Sequence, residues 1–125
     1  MGKVHRFYEK EGKFFWEEVR EESYNSEEAK SVTKKVLIGE KEGAPYFVIR
    51  YFEVEPGGWT FLHSHPHDHG VFILKGKGKV LLGEEEIDVK FGDVIYIPPH
   101  EKHRLKNTGD TPFGFLCVIP NKKLL

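Results

Sequence analysis

The stretch Leu62-His63-Ser64-His65-Pro66-His67-Asp68-His69-Gly70 carries four of the chain's seven histidines. His63 and His65 stand two residues apart, so on an extended chain both side chains leave the same face and can reach one ion. Pro66 removes a ladder donor and, like Asp68, favours a turn, so the chain is expected to turn at Pro66-His67-Asp68. His69 then re-enters at the head of the apolar run Gly70-Val-Phe-Ile-Leu-Lys-Gly76, back toward the same point. His67 is left at the tip, exposed or over a pocket mouth. Downstream, alternation along His103-Arg104-Leu105-Lys106-Asn107 sets His103 and Leu105 on one face and Arg104 and Lys106 on the other. An inward His103 supplies a long-range fourth ligand. One or two histidines in a polar loop need no explanation; this density points to a metal held by His63, His65, His69 and His103.

Around that stretch the signal is mostly β. Short runs rich in Val, Ile, Phe and Tyr are broken by Gly, Pro and acidic turns. Strands are expected at 3–8, 13–19, 33–38, 46–54, 59–62, 71–76, 78–83, 85–89, 93–97, 103–107 and 113–119, with Glu55-Pro-Gly-Gly58, Lys75-Gly-Lys-Gly78 and Asn107–Pro112 as turns. A short helix is suggested over Asn25–Val32, capped by Ser26. Many short strands imply a closed barrel or sandwich, which hides the sheet edges. The chain reads as one domain. Residues 1–35 form strands or an arm packing on the barrel or on a partner subunit, and residues 36–125 form the barrel.

Alternation places Val48, Arg50, Phe52 and Val54 on one strand face. Arg50 is then either outward on the surface or a cation inside a pocket. Phe115, Cys117 and Ile119 share a face of the last strand. Nothing cationic stands beside Cys117 in the sequence, so it reads as a small buried hydrophobe rather than a nucleophile.

Composition excludes several classes. Nineteen Lys and Arg against twenty Asp and Glu give a net charge of -1, with none of the clustered basic face that nucleic acid requires. No apolar run approaches the roughly 20 residues of a membrane helix. The N-terminus lacks the apolar core of a signal peptide, so the expected location is the cytoplasm. One cysteine permits no internal disulfide. The absence of Gln beside abundant Lys and Glu has a thermophile cast.

The spacing also carries a resemblance. Gly57, five residues, His63-x-His65, three residues, His69, six residues and Gly76 resemble the first cupin motif. Gly92, five residues, Pro98, then His103 and Asn107 resemble the second. The chain thus looks like a small single-domain cupin, which implies an all-β double-stranded β-helix, the jelly-roll barrel. Two positions depart from the pattern. The third ligand of the first motif is usually glutamate and here is His69, which resembles the four-histidine, manganese-binding subgroup. The second motif usually has glycine where this chain has His100, which is expected to be an exposed turn residue.

Four neutral imidazoles leave the charge of a divalent ion uncompensated, which makes it a stronger Lewis acid. Imidazole suits Mn, Fe, Co, Ni and Zn, and the resemblance favours Mn²⁺, then Fe²⁺. It also implies that the face of Phe115, Cys117 and Ile119 lines the cavity. Arg50, if inward, would meet an anionic substrate, and His67 would act as a mobile acid or base. The expected function is a metal-dependent oxygenase of dioxygenase type acting on a small organic substrate. A sugar or keto-compound isomerase or epimerase, and a non-enzymatic ligand-binding cupin, are the alternatives. Strands that are apolar on both faces suggest a homodimer.

Overall fold

The computed structural model describes residues 1–125. Eleven strands run in chain order: β1 (Phe7–Lys10), β2 (Lys13–Trp16), β3 (Glu21–Ser23), β4 (Lys30–Ile38), β5 (Phe47–Trp59), β6 (His69–Lys75), β7 (Lys77–Leu82), β8 (Glu85–Lys90), β9 (Val94–Ile97), β10 (His103–Asn107) and β11 (Phe113–Pro120). β1 and β2 form a hairpin, and the other nine make one antiparallel sheet. Its main path is β8-β7-β10-β5-β11-β6-β9, with β4 on the other flank of β5 and β3 beyond it. The sheet curls around its inward side chains as an all-β jelly roll. Val32, Phe52, Val54, Val71, Ile73, Val80, Ile95, Leu105 and Phe115 belong to a single buried cluster. Burying each such side chain contributes about 1.5–3 kcal/mol. No helix is long and apolar enough to cross a membrane.

The bend that curls the sheet lies where a turn was expected. Glu55-Pro56-Gly57-Gly58 does not separate two strands; β5 continues through it to Trp59. On β4, Val32 pairs with Val54 but Lys30 pairs with Trp59, so Glu55–Gly58 stand opposite Ser31 alone and β5 carries a bulge of three extra residues. Gly57 sits at φ +80°, and a Cβ on Gly58 would collide with the Lys30 carbonyl. Glycine turns the corner without ending the strand, so β5 bends within the one sheet. Trp59 ends β5, and Thr60–Leu62, expected to belong to a separate strand over 59–62, lie outside any strand.

No helix forms at Asn25–Val32. The Ser26 hydroxyl accepts the Glu28 amide at 3.0 Å and the Asn25 side chain accepts the Val32 amide at 2.9 Å. These are turn bonds that compete with helix. Ala29 is buried, and β4 begins at Lys30. The short β3 had no apolar signature to announce it.

β5 is buried on both faces. Tyr51 and Glu53 point away from the core yet are only 0% and 3% exposed. The β1–β2 hairpin covers them: Phe14 and Trp16 pack on the Tyr51 ring at 5.9 and 5.1 Å between centroids. Beneath the hairpin the Tyr51 hydroxyl donates to Glu53 at 2.9 Å, and Lys75 pairs with Glu53 at 2.6 Å. Lys75 also lies 4.1 Å from the centre of the Phe14 ring. A Cβ at Gly114 would overlap the Tyr51 hydroxyl, so only glycine admits that phenol.

Asn107 closes the fold between β10 and β11. Its amide donates to the carbonyls of Val54 and Thr111 at 2.9 and 2.8 Å, and its side-chain oxygen accepts the Gly109 amide at 2.8 Å.

Candidate metal centre

Backbone register gathers the histidines. His63 and His103 form an isolated antiparallel bridge, exchanging amide hydrogen bonds of 3.0 and 2.8 Å. Two residues on, His65 faces the same way as His63, with ring centroids 4.7 Å apart. The chain bends at Pro66 and His67, and His69 opens β6, paired with Ile97 of β9. Its ring lies 4.8 Å from that of His103 and 5.2 Å from that of His65. Ring nitrogens of His63, His65 and His103 all lie within 4.8 Å of one another. Of the two places expected for His67, the structure shows the one at the cavity: it is half-buried in the lining and its ring stacks on His65 at 5.0 Å between centroids.

The hydrogen-bond partners assign the tautomers. Nδ1 of His103 lies 3.0 Å from the Glu101 carbonyl and Nδ1 of His67 lies 3.2 Å from the Asp68 carbonyl. A carbonyl only accepts, so each of these rings carries its proton on Nδ1 and leaves the Nε2 lone pair free. Nε2 of His69 is buried and has no partner. Loss of solvent, reinforced by neighbouring rings and Arg50, pushes His69 down to about 3 and His65 down to about 4. His63 and His103 are lowered by the same desolvation. His63, His65, His69 and His103 are therefore neutral at physiological pH, the state in which imidazole ligates.

These features fit a divalent ion. An orphaned buried nitrogen costs about 1–3 kcal/mol unless something binds it, and a set of neutral nitrogen donors is what first-row metals such as Mn, Fe and Zn accept.

A cavity of about 660 Å³ opens from the histidines. Arg50 projects into it rather than to the surface: its Nη2 donates to Cys117 Sγ at 3.1 Å, and its guanidinium lies 4.9 Å from the centre of the Phe52 ring. Phe115, Cys117 and Ile119 all stand on the cavity wall. Cys117 thus has the cationic neighbour its sequence context lacked, because Arg50 is its cross-strand partner on β5. Burial raises the thiol pKa while Arg50 opposes the rise.

His100 lies outside the cavity lining, exposed in its turn at φ +69°. Two groups of lining residues were not read from the sequence. Phe61 stacks on His63 at 5.1 Å and Tyr24 meets Phe61 edge-on at 5.1 Å. The alternation Phe61-x-His63-x-His65 held the signal for the first; Tyr24 had none. At the mouth stand Lys34, Lys122 and Lys123, with Glu40 the one acidic neighbour.

Residues 50–119 match the cupin domain family. The chain is 39% identical over 90 residues to 1-methylthio-D-xylulose 5-phosphate methylsulfurylase of Rhodospirillum rubrum, covering 72% of this chain and 56% of that protein. It is 37% identical over 93 residues to glucose-6-phosphate isomerase of Thermococcus litoralis, covering 65% and 49%. The chain thus spans about half the length of the curated relatives it matches. Among solved structures, the polyketide cyclase RemF of Streptomyces resistomycificus superposes with a TM-score of 0.79 at 31% identity, over 96% of this chain and 79% of that one.

Proposed function

The chain belongs to the cupin domain family, and from that premise we propose that it is a metal-dependent enzyme that activates an oxygen atom of a small anionic organic substrate. The observation that carries this reading is the convergence of His63, His65 and His103 beside the unpartnered Nε2 of His69. These four residues hold one divalent ion, Mn²⁺ by preference and Fe²⁺ next, with Zn²⁺, Ni²⁺ or Co²⁺ also accepted by the donor set. When bound, the ion supplies a Lewis acid that polarises a carbonyl or hydroxyl oxygen.

The chain's own residues do the rest. Phe52, Phe115 and Ile119 exclude water from the wall. Arg50, and at the mouth Lys34, Lys122 and Lys123, draw in the anionic end of the substrate. Nδ1 of His67 is held by the Asp68 carbonyl, so its Nε2 is the base that takes a substrate proton and returns it.

Two reactions use such a site. Proton transfer between adjacent carbons of a phosphorylated sugar is favoured by the sugar phosphates named in the relatives' activities and by the cationic mouth. Dioxygenase chemistry is favoured by a ligand set without carboxylate and by the apolar wall. Metal analysis of untagged protein comes first, followed by incubation with aldose and ketose phosphates in deuterated water, once anaerobically and once in air with oxygen monitored. Deuterium entering the sugar supports the isomerase, and oxygen uptake coupled to turnover supports the dioxygenase. Bound metal without turnover of either kind leaves a ligand-binding cupin; no bound metal refutes the proposal.

The proposed assembly is a homodimer in the cytoplasm. Phe72, Val94, Tyr96 and Val118 stand exposed on the outer face of β6, β9 and β11, an apolar surface that a second copy would cover. A monomer mass by light scattering would contradict it.

A further inference from the structure

A ligating imidazole ordinarily passes its second N–H to a carboxylate, a carbonyl or water, which fixes the ring. His103 does so through Glu101. His69 does not: its Nδ1 faces the sulfur of Cys117 at 3.3 Å. The same sulfur meets Nη2 of Arg50 at 3.1 Å. A guanidinium only donates, so the sulfur accepts from Arg50.

Strand register brings the three together. Cys117 pairs with Arg50 on one side and with Val71, two residues beyond His69, on the other. At 4% and 6% exposure, Cys117 and His69 are both buried, and the sulfur is the partner that Nδ1 has. The opposite nitrogen of His69, Nε2, is buried and has no partner, and the same holds for Nε of Arg50.

We propose that Cys117 is a positioning residue: its sulfur accepts the Nδ1 proton of His69, holds that ring with its Nε2 lone pair toward the other histidines, and ties it to Arg50. In the opposite arrangement the thiol would donate to Nδ1 and Nε2 would carry the proton, closing the ring to an ion. The inference rests on the metal-centre reading. It gives the sulfur a place between the metal end of the cavity and the cation that meets the substrate.

The test compares Cys117→Val, which fills the site with a slightly larger apolar group and loses the acceptor, with Cys117→Ser, which keeps an acceptor. Cys117→Ala serves if the valine does not fold. Two readouts are taken: the ¹⁵N shifts of the His69 ring in metal-free protein, and the dissociation constant for Mn²⁺. The expected result is Nδ1 protonation in the parent and loss of that preference in the valine variant. Mn²⁺ affinity is expected to fall about 10- to 100-fold with valine and to be largely kept with serine. Nε2 protonation in the parent overturns the proposal, as does unchanged Mn²⁺ affinity in the valine variant. A parent that binds no Mn²⁺ refutes the metal centre instead, and the ring shifts still decide what Cys117 does to His69.

Discussion

The backbone of His100 clasps that of His65. The His100 amide donates to the His65 carbonyl at 2.5 Å, and the His100 carbonyl accepts the Ser64 hydroxyl at 2.7 Å. One exposed turn residue thereby fixes the loop from which His65, a candidate metal ligand, projects. Its side chain contributes nothing to the cavity; its main-chain conformation does.

That conformation lies in the left-handed region, at φ +69°, which costs a non-glycine residue about 1–2 kcal/mol. His100→Gly is expected to keep both bonds and raise the melting temperature, the gain falling to about 1 kcal/mol after the greater freedom of glycine in the unfolded chain. His100→Pro removes the amide donor and is expected to loosen His65 and weaken Mn²⁺ binding. Thermal unfolding and metal titration check both, and a destabilised glycine variant would show that the turn carries no strain.

Added metal is expected to stabilise the fold. At a free Mn²⁺ concentration about 100 times the dissociation constant, the gain is about 2.7 kcal/mol. His69→Ala should abolish it and a chelator should reverse it. A melting temperature indifferent to Mn²⁺ would leave the histidines without an ion.

The metal-free protein should weaken in mild acid. An unfolded histidine titrates near 6.5, whereas burial holds folded His65 to about 4 and folded His69 to about 3. Between those values the unfolded chain binds more protons, so stability is full above pH 6.5 and declines as the pH falls toward the folded values. Denaturant midpoints between pH 7 and pH 5 isolate this term, because unfolded carboxylates titrate lower. A flat profile over that interval would contradict the depressed values.

Lys75→Met is expected to destabilise by about 3–5 kcal/mol, because it leaves the buried Glu53 carboxylate with only the Tyr51 hydroxyl. The double variant Lys75→Met, Glu53→Gln should recover much of the loss. Urea unfolding of the single and double variants measures the coupling, and additive losses would show that the pair is not a unit.

Asn107→Ala removes three hydrogen bonds and leaves the buried Val54 carbonyl without that donor. A loss of about 2–4 kcal/mol is expected, read as a shifted denaturant midpoint with metal affinity per folded molecule unchanged.

The histidines were legible because a two-residue period on an extended chain is local: His63, His65 and inward His103 follow from alternation alone. The link between Arg50 and Cys117 was not, since 67 positions separate them and only β5–β11 register joins them. Burial of Tyr51 and Glu53 was hidden for a similar reason. Alternation assigns a face, but the hairpin that covers the outer face comes from a distant segment. Glu55–Gly58 misled because glycine chemistry at a turn and at a bulge reads alike. Only the pairing of Lys30 with Trp59 separates them.

The anchoring of Asn121 has a practical consequence. Its amide donates to the Tyr46 carbonyl at 3.0 Å and its side chain to the Ala44 carbonyl at 2.8 Å, which seats Lys122 and Lys123 on the cavity rim. Any chain joined after Leu125 starts within a few residues of that rim, and a polyhistidine one would bring further imidazoles close to those of the cavity. Affinity tags and immobilisation linkers are better placed away from Lys122 and Lys123, and a probe for entry and exit of small molecules is better placed beside them.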